Sequence, residues 1–177
     1  RFDADGTVAW LPLVFGTGPL TVANGFRSQA DVVIDVRKAA DLLGATPMDR
    51  PEDVEVNPVN GAVYVMLTKN ADRTDAQRSP ANPRAKNKAG QIVEMTAPKG
   101  DHSLPVFAWD MFLLAGRRDD PSTSYHPATG KNSWLACPDN CAFDTKGRIW
   151  ITSDGAEDFG IAEGIWAADV SGASRAL

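Results

Sequence analysis

The strongest constraint on the fold is a repeat. Pro51-Glu52-Asp53-Val54-Glu55-Val56-Asn57 can be laid over Pro138-Asp139-Asn140-Cys141-Ala142-Phe143-Asp144, acid for acid and apolar for apolar through most of its length. Each segment runs through a Gly-containing turn, Asn60-Gly61 or Lys146-Gly147, into an apolar run, Ala62 to Thr68 or Arg148 to Asp154. Acid-led strand, tight turn and second strand therefore recur as one unit. A sheet module that repeats along a chain buries its faces by stacking on its neighbours.

The continuation of each unit names the architecture. After the first hairpin, Gln91 to Met95 reads as a third strand and Leu104 to Trp109 as an outer fourth, with Pro105 tolerable at an edge. After the second, Gly164 to Val170 supplies a third strand. Four-stranded units of this kind are the blades of a β-propeller, with the innermost strand of each lining a central channel. The expectation is a mainly β chain, a single segment over 1–177 that forms a partial propeller of about two blades with one inserted helix. Its blade-like units span about 50–116 and 137–177, and Thr7 to Val14 is expected as the outer strand of a preceding blade. A blade needs only about 40–45 residues, so Lys69 to Ala89 and Arg117 to Leu135 are expected as long inserted loops, which commonly carry function. Fewer than about four blades do not close a ring. The chain is expected to be incomplete, with the remaining blades in residues outside it or in another chain, and its opening at Arg1 suits a processed or excised segment.

Between the first apolar run and the repeat lies a predicted helix. Ser28 can cap it, Asp31 follows three residues on, and Val32, Val36, Ala39, Ala40 and Leu43 recur at helical spacing before Gly44. The 177 residues are 43% hydrophobic and 23% charged, enough for one modest core and unlike a disordered chain. No run of about 18 apolar residues is present to span a membrane. A formal net charge of −5 excludes nucleic acid as a bulk electrostatic partner. The two cysteines, Cys137 and Cys141, are too few for a local structural zinc site and are compatible with either a small disulfide or two buried thiols.

Chemistry is expected where the repeat brings acids together. If Glu52 and Asp139 enter two innermost strands at equivalent points, their carboxylates converge on one axial channel. Oxygen donors from several blades suit Ca2+, which takes 6–8 oxygen ligands, and Asn140 adds a neutral carbonyl. Asp154, beside Gly155 at the end of the later apolar run, is a further candidate, although Asp139, Asn140 and Asp154 can equally serve turn backbone. The loop Asn82-Pro83-Arg84-Ala85-Lys86-Asn87-Lys88 carries three cations and two amides; on composition it reads first as a solvated basic loop, and if it cradles an anion Arg84 and Asn82 are the candidate binding groups. His102 and His126 lack partner motifs, and no nucleophile elbow or phosphate-binding glycine loop is present.

The run Ala39 to Glu52, with Met48-Asp49-Arg50-Pro51-Glu52 at its core, resembles the PhoX alkaline phosphatases. The likeness continues through Asn57-Pro58, Gly61 to Val65, Ala81 to Asn87, Asp101-His102 and Gly147 to Gly155, covering most of the chain from about Ala39. The resemblance implies an exported, periplasmic or extracellular propeller phosphomonoesterase acting on small phosphate esters. Its calcium and oxo-bridged iron(III) centre activates an oxygen nucleophile for in-line attack. It implies Glu52 as the carboxylate that bridges metals, Arg50 as the guanidinium that binds substrate phosphate, and Asp139 as a calcium ligand, with Asn140 and Arg84 following by weaker likeness. Iron enters only through this resemblance. The chain departs from the family in two ways: the Cys and Glu that also bind iron lie upstream and have no counterpart here, and Asp53-Val54 stands where an aromatic is common. A calcium-dependent propeller lactonase or esterase, and a non-catalytic binding propeller, are the competing expectations.

Overall fold

The computed structural model describes residues 1–172 and Arg175. Two antiparallel sheets account for most of the regular structure. The first has the order β1-β5-β4-β3-β2, from β1 (Thr7–Ala9), β2 (Pro51–Val56), β3 (Val63–Leu67), β4 (Gln91–Thr96) and β5 (Val106–Leu114). The second has the order β6-β7-β8, from β6 (Pro138–Phe143), β7 (Ile149–Ser153) and β8 (Ile165–Ala168). The turns joining β2 to β3 and β6 to β7 contain Gly61 and Gly147 at φ 73° and 79°, left-handed values that a residue without a Cβ adopts at least cost. The far end of the second expected blade unit, residues 173, 174, 176 and 177, lies outside the described residues.

Strand β3 shows why the sheets associate. All five of its residues are buried, so it lacks the polar alternation of a half-wet strand. Tyr64 and Met66 join Ile149, Ile151 and Leu135 in a core between the two sheets, while Val65 and Leu67 join Val93 and Phe107 on the other face. Each fully buried side chain of this size contributes about 1.5–3 kcal/mol, so the inter-sheet core is the main force aligning β2 beside β6. A buried amide adds direction: Asn57 Nδ2 donates to the Gly147 carbonyl at 3.0 Å, tying the two hairpin turns together.

Three expectations change in detail. Thr7–Ala9 pairs with Val106–Ala108 of β5 and so extends the first sheet's own outer edge instead of belonging to a preceding blade. The outer strand β5 begins at Val106 and runs to Leu114, longer than the expected Leu104 to Trp109. The single expected helix is two, α1 (Gln29–Ile34) and α2 (Val36–Leu42), broken at Asp35 (φ −95°, ψ 43°). The β-branched run Val32-Val33-Ile34 lowers helix propensity just before the break. Ser28 caps α1 as expected, accepting from the Asp31 amide at 3.2 Å. Of the expected apolar stripe, Val32 and Ala39 are fully buried while Val36 is exposed.

Candidate active site

The repeat is preserved in backbone detail where β2 and β6 begin. Arg50 and Cys137, the residues just before Pro51 and Pro138, both have left-handed backbone (φ 49° and 54°). Such a conformation costs a non-glycine residue of order 1–3 kcal/mol and persists where its surroundings demand it. In both copies the carbonyl is held in the same way, Arg50 accepting from the Thr68 amide and Cys137 from the Asp154 amide, each at 3.1 Å. The register then slips in both strands, between Pro51 and Asp53 in β2 and between Pro138 and Cys141 in β6. These bulges fall at Glu52 and at Asp139-Asn140, and a bulge re-aims the side chains it carries.

The result is a cluster of carboxylates at the junction of the sheets. Asp139, partly buried, has its carboxyl pKa pushed up by burial and by the negative charges of Glu52 and Asp154, with the Thr68 hydroxyl and Arg50 opposing. Asp139 thus lies within electrostatic range of both Glu52 and Asp154. Arg50 lies against this cluster, its Nε donating to Glu52 Oε1 at 2.5 Å. The Arg50 side chain remains 54% exposed, and among the described residues only its Nε is engaged. Its terminal amino groups are thus free to face an anion. Thr68, fully buried, joins the halves by donating to the Pro138 carbonyl at 3.0 Å, with Asp139 Oδ1 at 3.4 Å. Asp53, the neighbour of Glu52, accepts the Cys141 amide at 2.7 Å on Oδ2 and so serves as an inter-strand tie. Asn140 and Asp154 are exposed beside the cluster.

The basic loop is arranged differently. Asn82 is wholly buried and gives its Nδ2 to the Pro47 carbonyl (3.0 Å) and Ser79 Oγ (2.9 Å). Arg84 donates through Nη1 to the Ala115 carbonyl at 2.7 Å and through Nη2 to the Gly90 carbonyl. Arg84 thus ties the loop to the residues flanking β4 and β5, and Asn82 ties it to the segment that enters Arg50. Arg84 also lines a cavity of about 680 Å³ with Arg78, Lys86, Lys88 and Asp120.

Sequence reasoning missed the polar group that fixes the approach to Arg50. Asp49 is fully buried, accepting from Arg73 Nε at 2.6 Å and from Asn87 Nδ2 at 2.9 Å. The only signal available was the position of Asp49 between Met48 and Arg50, since Arg73 lies in a loop with no motif of its own.

The donor set can be judged on chemistry. A carboxylate pushed up by burial and by the charges of two neighbouring acids, as Asp139 is, suits a hard cation with oxygen ligands. Among the described residues no group of three or more His, Cys, Asp or Glu side chains is close enough to hold a metal ion unaided. An iron site with a thiolate does not fit these residues. Both cysteines are free and buried, and burial pushes the Cys137 thiol up to about 11 and the Cys141 thiol, with Asp53 and Glu55 adding to it, to about 12. The small disulfide is thus absent.

The sequence model of the family described as Alkaline phosphatase PhoX matches residues 1–174. The chain belongs to that family. The solved structure of Pseudomonas fluorescens PhoX in complex with vanadate, a transition state analogue, superposes with a TM-score of 0.82 at 37% identity. The match covers 96% of this chain and 32% of that one, so the chain spans about a third of the length of this PhoX relative and is a partial propeller. None of the curated proteins compared matches the chain. No described helix is long and apolar enough to cross a membrane.

Proposed function

We propose that this chain supplies the phosphate-binding arginine and part of the metal-binding carboxylates of a PhoX-type phosphomonoesterase. The observation that carries the reading is the pairing of the exposed Arg50 with Glu52 at 2.5 Å, beside Asp139 whose carboxyl is pushed up by burial, Glu52 and Asp154. A guanidinium free at both terminal nitrogens, next to carboxylates short of cations, binds phosphate and metal together. Membership of the PhoX family and the likeness to a PhoX that binds vanadate support the same chemistry.

In this reading Glu52 and Asp139 contribute two ligands to a divalent cation, calcium by the hardness of the donors, while Asp154 and Asn140 stand beside it as outer oxygen donors and the remaining ligands come from other segments of the complete protein. When bound, the metal centre supplies Lewis-acid stabilisation and a nucleophile at neutral pH. Glu52 turns Arg50 toward the phosphate, and Arg50 stabilises charge growing on the equatorial oxygens during in-line displacement. Asn82 and Arg84 enter as supports of the loop behind Arg50, because the Asn82 amide nitrogen and both Arg84 terminal nitrogens are given to backbone carbonyls. The two blade units over about 50–116 and 137–177 and an exported location complete the proposal, and any iron of the complete protein would take its thiolate ligand from a segment other than this one.

The test is Arg50→Ala in the complete protein with p-nitrophenyl phosphate as substrate. Turnover is expected to fall about 100- to 1000-fold, the usual loss when one transition-state donor is removed, while circular dichroism stays native. Near-normal hydrolysis, or turnover of a lactone in place of the phosphate ester, overturns the assignment. Glu52→Gln is expected to lower bound calcium as well, measured by elemental analysis.

A further inference from the structure

We propose that the buried Asp49–Arg73 pair is a positioning device that holds Arg50 in its phosphate-binding pose, an inference that rests on the role just given to Arg50. Asp49 is 0% exposed and Arg73 only 4%. The guanidinium spends all three of its nitrogens on one task. Nε donates to Asp49 Oδ1 at 2.6 Å, Nη2 to the Pro47 carbonyl at 3.0 Å and Nη1 to the Gln77 carbonyl at 2.5 Å. It therefore grips the segment entering Arg50 at two points, the carbonyl of Pro47 and the carboxylate of Asp49, and ties both to the 69–89 loop. Asn87 closes the other side of Asp49, its Nδ2 also reaching Gln91 Oε1 at 2.8 Å.

The internal repeat supplies a control for what the pair is for. Cys137 makes the same left-handed turn as Arg50, yet the residue before it is Ala136, fully buried and without a polar side chain. The turn forms there with no ion pair behind it. A buried ion pair is a weak source of net stability because its desolvation cost offsets the attraction. It stands behind the copy of the turn that carries an arginine and not behind the copy that carries a cysteine. Backbone gripped at two points beside a long side chain limits where that side chain's head can go, and misplacement of a substrate-binding group by about 1 Å costs about 100-fold in rate.

The experiment compares Arg73→Lys, Arg50→Ala and the double variant in the complete protein. It reads kcat and KM for p-nitrophenyl phosphate and the rise in melting temperature given by inorganic phosphate. Lys keeps the charge but not the planar fork. Arg73→Lys is expected to lower kcat/KM about 10- to 100-fold and to shrink the phosphate-induced rise. In the Arg50→Ala background it is expected to change neither, since residues acting as a unit are non-additive. A further loss of the same size in that background, or undiminished activity in Arg73→Lys alone, overturns the proposal. If Arg73→Lys does not fold, Asn87→Ala, which removes one donor to Asp49, takes its place with the same expectations. Failure of both to reach a native near-ultraviolet spectrum makes the pair a folding element and also overturns the proposal. Full activity in Arg50→Ala removes the functional reading itself, and this inference falls with it.

Discussion

Thr68→Val isolates the contact that locks the two sheets at the mouth of the carboxylate cluster. The Thr68 hydroxyl is fully buried, donates to the Pro138 carbonyl at 3.0 Å and lies 3.4 Å from Asp139 Oδ1. Valine replaces that hydroxyl by a methyl of nearly the same size, so no cavity opens. The loss is one hydrogen bond worth about 1 kcal/mol, together with part of the desolvation cost of an acceptor left short of a donor, about 2 kcal/mol in all. With a urea m-value of about 2 kcal/mol/M, the unfolding midpoint is expected to fall by about 1 M with the slope unchanged. The hydroxyl also opposes the rise of the Asp139 pKa, so its removal leaves burial, Glu52 and Asp154 pushing the carboxyl further up. Calcium protection of the variant is therefore expected to weaken at mildly acidic pH more than at neutral pH. Thr68→Ser should restore both properties. A midpoint unchanged within error, or a serine variant no better than valine, refutes the role assigned to the hydroxyl.

Gly90→Ala is expected to prevent folding or to cost more than about 4 kcal/mol. Gly90 has φ 78°, and a Cβ there would meet the Thr68 and Leu67 carbonyl oxygens and approach Pro138 Cδ at 2.8 Å; soluble, cooperatively unfolding Gly90→Ala protein would contradict this. The thiols of Cys137 and Cys141 are expected to resist iodoacetamide at pH 8 in the folded protein and to react on denaturation, because burial holds their pKa values at about 11 and about 12. Rapid labelling of either thiol under native conditions counts against their buried, neutral state. Asp144, held down to about 2 by Arg148 and the Lys146 and Arg148 amides against the opposing effect of burial, contributes stability that is present above the ordinary aspartate range. That stability is lost as pH falls toward 2, so the acid unfolding of Asp144→Asn is expected to be shallower than that of the native protein over this range.

The two-unit pattern was legible because strand period, turn glycines and leading acids are written in residues close together in the chain. The repeat also carried the main site expectation. Aligning Glu52 with Asp139 leads to the expectation that their carboxylates converge; the structure places a bulge at both strand starts and Asp139 within electrostatic range of Glu52. Less legible were features set by contacts over longer separations. The basic loop reads either as a solvated surface loop or as an anion cradle, yet Asn82 and the terminal nitrogens of Arg84 are given to carbonyls of residues 47, 115 and 90. Nothing near those side chains in sequence announces such partners.

Local pattern settles what is short-ranged: the hairpins, the tight turns at Gly61 and Gly147, the Ser28 cap and the family-like run through Arg50 and Glu52. Tertiary packing alone settles which outer edge Thr7–Ala9 extends, where the helix breaks, and which charges are buried. Asp49 and Arg73 are 24 residues apart in the chain and look like any surface acid and base until the sheet and the loop close over them. The physical reason is range. Backbone preference and turn chemistry act over a few residues, whereas burial and ion pairing depend on which distant segments share one core, and that is known only once the whole chain has folded.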